Sequence, residues 1–168
     1  MQRVRDYFYG NKNCVNPRLK PIADRLFRDI PDAKIMGGYV RGLVHEDKVT
    51  SDLDVIVPNV HGLKVATDQL TRNFHCTVSA SDQPHYSNWN PTPQTYVRFA
   101  CPNGVTVDVV TKSEHDKTQV PSSAHETVLT KDGIQFQHES MFRNKQFICY
   151  TLGSVSCDKL DREGWKRK

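Results

Sequence analysis

The stretch that most constrains this chain runs from Gly37 to Val57: Gly37-Gly38-Tyr39-Val40-Arg41-Gly42, a short polar connection, then Ser51-Asp52-Leu53-Asp54-Val55-Ile56-Val57. Side chains alternate faces along a strand, so Asp52 and Asp54 project to one side while Leu53, Val55 and Val57 project to the other. Two carboxylates crowded into one site repel each other unless a counter-ion is present, and divalent cations are the natural one. The glycine pair follows the short apolar segment Ile35-Met36 and precedes one or two turns of helix, so bare backbone N–H groups can face an anion there. A phosphate cradle beside a metal-binding carboxylate pair points to phosphoryl or nucleotidyl transfer.

The rest of the chain supplies a frame for that site. Residues 1–16 read as a loosely structured lead-in. From Pro17, the residues Leu19, Ile22, Ala23, Leu26, Phe27 and Ile30 follow the spacing of a helix with one buried stripe, stopped by Pro31-Asp32. Lys34 to Met36 is a short strand. After Pro58-Asn59 a second helical pattern carries Leu63, Ala66, Leu70 and Phe74 on one side, and His75 to Ser79 alternates as a strand. The polar loop Ser81 to Pro93 holds Tyr86 and Trp89, which either stack on a base or cover the edge of the core.

Thr95 to Cys101 and Val105 to Thr111 form a hairpin around Pro102-Asn103-Gly104. Alternation in the second run places Val105, Val107 and Val109 on one face and Asp108 with Thr106 on the other. A lone acid in so apolar a strand is tolerated when a partner or a metal offsets its desolvation. The alternative is an edge strand with Asp108 in water, but with Asp52 and Asp54 upstream Asp108 is expected as the third acid of the site.

Lys112 to Ser123 is expected as an exposed connection. Thr127 to Thr130 and Ile134 to Phe136 form a second hairpin around Lys131-Asp132-Gly133, and His138 to Leu152 is expected as a helix ending near Gly153. The last stretch, 154–168, is a basic tail in which five basic residues from Lys159 onward face Asp161 and Glu163. It either touches a phosphate backbone or frays into solvent. With 168 residues, one domain spanning 1–168 is expected. The N-terminus lacks the apolar core of a signal peptide and no run approaches a membrane span, so a cytoplasmic protein without a membrane partner is expected. Cys14, Cys76, Cys101, Cys149 and Cys157 are odd in number, widely spaced and without a Cys-x-x-Cys pair, which indicates neither a disulfide framework nor a zinc site. The seven histidines form no ligand cluster. A net charge of +4 permits a polyanionic partner without requiring one.

The Gly-Gly-x-Val-Arg string at 37–41 followed by Asp-x-Asp at 52–54 resembles the signature of the DNA polymerase β-like nucleotidyltransferase superfamily. It is most similar to the head domain of tRNA nucleotidyltransferases and poly(A) polymerases. The Ser51-Asp52-x-Asp54 form is also similar to minimal nucleotidyltransferases paired with toxins. The resemblance implies an α/β (α+β) fold, a mixed, mainly antiparallel sheet with helices packed mainly on one face. It implies two Mg²⁺ ions, with Mn²⁺ as a substitute, held by Asp52, Asp54 and Asp108. It also implies triphosphate contacts from Gly37 and Gly38, with Arg41 and Ser51 nearby, and Lys48, Arg98 and Lys112 as weaker phosphate candidates. The implied reaction is transfer of an NMP from an NTP, with ATP among the candidates, to a hydroxyl. An RNA 3′ end is the first acceptor to consider. Transfer to a protein or small molecule, and a non-catalytic nucleotide-binding module acting with a protein partner, are the rivals.

The sequence also departs from the resemblance. Gly42 stands where tRNA nucleotidyltransferases usually have Asp, and Ser122 to Thr130 replaces their Arg-Arg-Asp-Phe-Thr segment. The later Glu-Asp-x-x-Arg motif has no counterpart either. The reaction type is thus better supported than the acceptor.

Overall fold

The computed structural model describes residues 16–46, 50–82 and 93–168. Lys48, Tyr86, Trp89, Cys14 and nearly all of the lead-in fall outside the described residues. Helix α1 (Leu19–Asp29) buries Leu19, Ile22, Ala23, Leu26 and Phe27, the stripe that its spacing predicts. Strand β1 (Lys34–Met36) leads through Gly37 into α2 (Gly38–His45), and β2 (Asp52–Val57) carries the acids. Helix α3 (Val60–Asn73) starts where the Asn59 side chain accepts the Gly62 N–H at 2.9 Å. Strands β3 (Thr77–Ser81), β4 (Tyr96–Ala100) and β5 (Thr106–Thr111) follow, with Asn103 and Gly104 at positive φ in the tight β4–β5 connection.

Seven strands form one sheet in the order β3-β4-β5-β2-β1-β6-β7, where β6 is Val128–Thr130 and β7 is Gly133–Gln135. Strands β2 and β5 run parallel at its centre, and the other neighbours are antiparallel. One face presents Ile35, Leu53, Val55, Val97, Phe99, Val107 and Val109 to the side chains of α1, α2 and α3, and this is the main core. The opposite face is where the acids stand. The strands therefore sort their side chains as alternation requires, apolar toward the helices and polar away from them.

Three expectations are corrected. The connection expected over Lys112 to Ser123 opens with a short helix, α4 (Lys112–Asp116), started by the Thr111 hydroxyl accepting the Glu114 N–H, and it ends on buried Ser122 and Ser123. The helix expected over His138 to Leu152 is confined to α5 (Glu139–Arg143). Lys145 takes a left-handed φ of 53°, and Gln146–Phe147 becomes strand β8. Extension continues as Ile148 exchanges backbone and side-chain hydrogen bonds with Ser123. The basic tail is neither frayed nor structureless: α6 (Val155–Arg162) and β9 (Lys166–Arg167) fold back, and β9 pairs with β8. Phe142, Phe147, Cys157, Leu160 and Trp165 form a second apolar cluster there.

The cysteine reading is also overturned, because Cys76–Cys101 and Cys149–Cys157 are disulfides. Thr77 pairs with Ala100 across β3 and β4, so the residues one step outward, Cys76 and Cys101, face each other. Among the described residues no helix is long and apolar enough to cross a membrane.

Candidate active site

Strand register brings the acids together. Asp54 pairs with Asp108 across the parallel β2–β5 junction, Asp108 pairs with Arg98 of β4, and Met36 of β1 pairs with Asp54. One row across four strands therefore reads Met36, Asp54, Asp108, Arg98 on the face away from the main core. Asp52 stands on the same face, two residues back along β2 and exposed to solvent. Had alternation failed by one residue in either strand, Asp54 and Asp108 would be on opposite faces.

The chemistry of this row is that of a crowded anion site. Burial raises the Asp54 carboxyl, and the charges of Asp108 and Asp52 and a hydrogen bond shared with Asp108 push the same way. Arg41 acts in the opposite sense, and the result is an Asp54 raised to about 6. Asp108 is the acceptor at the centre: Arg98 donates from Nε to Oδ1 at 2.7 Å and from Nη2 to Oδ2 at 3.3 Å, and the Tyr96 hydroxyl donates to Oδ1 at 3.1 Å. Oxygen donors of this kind suit a hard divalent cation. Asp54 and Asp108 would hold it, with Asp52 as the outlying third. Among the described residues, no three His, Cys, Asp or Glu side chains are already arranged as a metal site.

The glycine turn touches this row. Gly37 has φ 80° and ψ −147°, a region open only to glycine, and a Cβ built on it would stand 2.7 Å from Asp54 Oδ2. Gly38 begins α2 with only Arg41 and Thr50 near a Cβ, both no closer than 3.8 Å. Ser51 is exposed just before β2, and its carbonyl accepts the Thr106 N–H at 3.0 Å.

Arg41 does not reach into the acid cleft. Its side chain is 9% exposed and pairs with Glu163 at 3.8 Å, and its charge lowers the Asp54 carboxyl. Arg98 is bound to Asp108, and Lys112 pairs with Asp116 at 2.7 Å on the rim of a neighbouring cleft of about 650 Å³. That cleft shares Met36 and His115 with the one above Asp54.

Sequence reasoning passed over Tyr96 as a partner of Asp108, though it sits two residues before Arg98 on the same face of β4. It also passed over Glu163 and Lys159, which border α2 together with Trp165. No local signal ties the end of the chain to residue 41.

No protein-family model and no curated protein matches the sequence. Solved structures do. A Thermotoga maritima CCA-adding enzyme complexed with tRNA aligns over 95% of this chain and 39% of its own, with a TM-score of 0.60 and 15% identity. A CCA-adding enzyme in apo form I aligns over 99% and 43%, with a TM-score of 0.63 and 11% identity. A CCA-adding enzyme complex with CTP aligns over 99% and 42%, with a TM-score of 0.61 and 11% identity. The chain has a nucleotidyltransferase-like head-domain fold. It spans about two fifths of the length of these solved structures. At such identities the likeness is one of fold.

Proposed function

We propose that this protein is a metal-dependent nucleotidyltransferase that moves a nucleoside monophosphate from an NTP to a hydroxyl, with an RNA 3′ end as the acceptor. The observation that carries the reading is the register pairing of Asp54 with Asp108 beside the Gly37 turn. The fold shared with CCA-adding enzymes complexed with tRNA, ATP and CTP supports it. Asp52, Asp54 and Asp108 would hold Mg²⁺, or Mn²⁺ in its place. Bound there, the ions would lower the pKa of the acceptor hydroxyl and neutralise charge on the triphosphate and the departing pyrophosphate.

The chain's own groups do the positioning. Gly37, lacking a side chain, lets the backbone approach Asp54 closely enough that a bound phosphate and the carboxylate share one site. Gly38 opens the first turn of α2, where N–H groups point outward to an anion. Tyr96 and Arg98 fix the orientation of Asp108 through donated hydrogen bonds. Arg41, paired with Glu163, contributes positive potential at Asp54 and favours its ionised form.

The protein incubated with Mg²⁺ and each labelled NTP, with and without bulk RNA, should transfer label to RNA. Asp54→Ala should abolish transfer while its far-ultraviolet circular dichroism stays that of the wild type. Full activity in that variant refutes the assigned role. Label on protein or a small molecule would redirect the acceptor, and no label with any NTP would favour a nucleotide-binding module that acts with a partner chain.

A further inference from the structure

The cleft above Asp54 encloses about 480 Å³ and is lined by four carboxylates, Asp54, Asp82, Asp108 and Glu114. Among the described residues lining it, Arg98 is the one lysine or arginine. Its guanidinium closes on Asp108 through two hydrogen bonds, at 2.7 and 3.3 Å. Tyr96 takes a further position on Oδ1. Each oxygen of Asp108 thus already accepts from a donor, and a cation that draws on this carboxylate meets the bound Arg98 guanidinium as a competing positive charge.

The pair is placed to exchange. The Arg98 side chain is 50% exposed and that of Asp108 22%, and half-solvated ion pairs are weakly held. Arg41, by contrast, is buried and pairs with Glu163. A guanidinium fits a phosphate as well as a carboxylate, with the same two-pronged geometry.

We propose that Arg98 is an exchangeable counter-cation. It neutralises Asp108 while the site lacks metal, yields the carboxylate to a divalent cation, and then turns to the polyphosphate of the NTP in the same cleft. The inference rests on the metal-dependent reading above and adds a residue whose two bonding states oppose each other. Removing Arg98 therefore helps metal and harms polyphosphate, a pair of opposite effects that a purely structural arginine would not produce.

The test uses Mn²⁺ alone, with free ion followed by its paramagnetic resonance signal, on wild type, Arg98→Met, Arg98→Lys and Asp54→Asn. Arg98→Met should bind Mn²⁺ about twofold to fivefold more tightly than wild type, as expected for loss of a half-exposed ion pair. Asp54→Asn should bind it at least about tenfold more weakly, since a charged ligand is lost. At saturating Mn²⁺, affinity for inorganic tripolyphosphate should fall about fivefold to tenfold in Arg98→Met and recover in part in Arg98→Lys. If Arg98→Met binds Mn²⁺ no more tightly than wild type while Asp54→Asn still weakens it, the exchange is overturned and the metal-dependent reading stands. If none of the four proteins binds Mn²⁺, both fail.

Discussion

Replacing Gly37 by alanine tests the link between the turn and the acids most directly. The backbone there sits at φ 80° and ψ −147°, where a residue with a Cβ is strained by about 1–3 kcal/mol. Alanine also stiffens the unfolded chain, which returns about 0.4–1 kcal/mol. The new Cβ would lie 2.7 Å from Asp54 Oδ2, closer than such atoms approach, so the carboxylate has to shift as well. We expect a net loss of about 1–3 kcal/mol, a fall of roughly 3–10 °C in melting temperature for a chain of this size. Gly38→Ala is the matched control, because its Cβ meets nothing closer than 3.8 Å and alanine favours a helix. That variant should be neutral or up to about 1 kcal/mol more stable. Urea unfolding of the three proteins gives the comparison, with nucleotide transfer as a second readout that should fail in Gly37→Ala. If Gly37→Ala is as stable as wild type, or the two variants lose stability alike, the close approach of turn and acid is not what the glycine serves.

Between about pH 4 and 6.5, two buried groups should pull stability in opposite directions. Burial, and then the charges of Arg41 and Lys159, lower His125 to about 4, so the stability it confers is complete above its ordinary value of 6.5 and is lost as pH falls toward 4, about 3 kcal/mol in all. Asp54, raised to about 6, does the reverse in metal-free protein: its contribution is complete below 3.8 and is lost as pH rises through 6, again about 3 kcal/mol at most. In urea titrations with chelator, His125→Asn should leave stability falling from about pH 4 to 6, and Asp54→Asn should leave it rising from about pH 4 to 6.5. Stability curves that stay parallel to wild type in both variants would disprove the assignment. With four of the five cysteines paired, thiol titration of the denatured, unreduced protein should find one free thiol, and reduction should cost about 2–4 kcal/mol per bridge. Five free thiols would reject both disulfides. Glu163→Gln should destabilise the protein by about 1–3 kcal/mol, because the buried Arg41 guanidinium loses one ion-pair partner, and an unchanged urea midpoint would contradict that.

What could be read from the sequence was whatever depends on short spacing. Alternation in Ser51–Val57 and Val105–Thr111 sorts the side chains correctly, and because those strands turned out to be parallel neighbours, Asp54 and Asp108 meet. The α1 stripe and the hairpin at Pro102-Asn103-Gly104 are local for the same reason. What escaped depends on contacts between distant segments. The helix expected over 138–152 rested on Met141, Phe142, Phe147 and Ile148, whose five-residue gap is not helical spacing; the last two serve β8 and its links to Ser123 and β9. The Cys76–Cys101 bridge was recoverable in principle, since the register that pairs Thr77 with Ala100 puts the cysteines opposite each other, but the two strands are joined by a long polar stretch of sequence that fixes no register. Arg98 shows the same limit within the site. Its charge made it a phosphate candidate, and although the Pro102-Asn103-Gly104 hairpin sets β4 beside β5, only the pairing of individual residues shows that Arg98 stands opposite Asp108. A cation opposite an acid is thus a property of strand pairing, and it changes the meaning of both residues: the third acid is held before any metal arrives, and the arginine has an anion before any phosphate does.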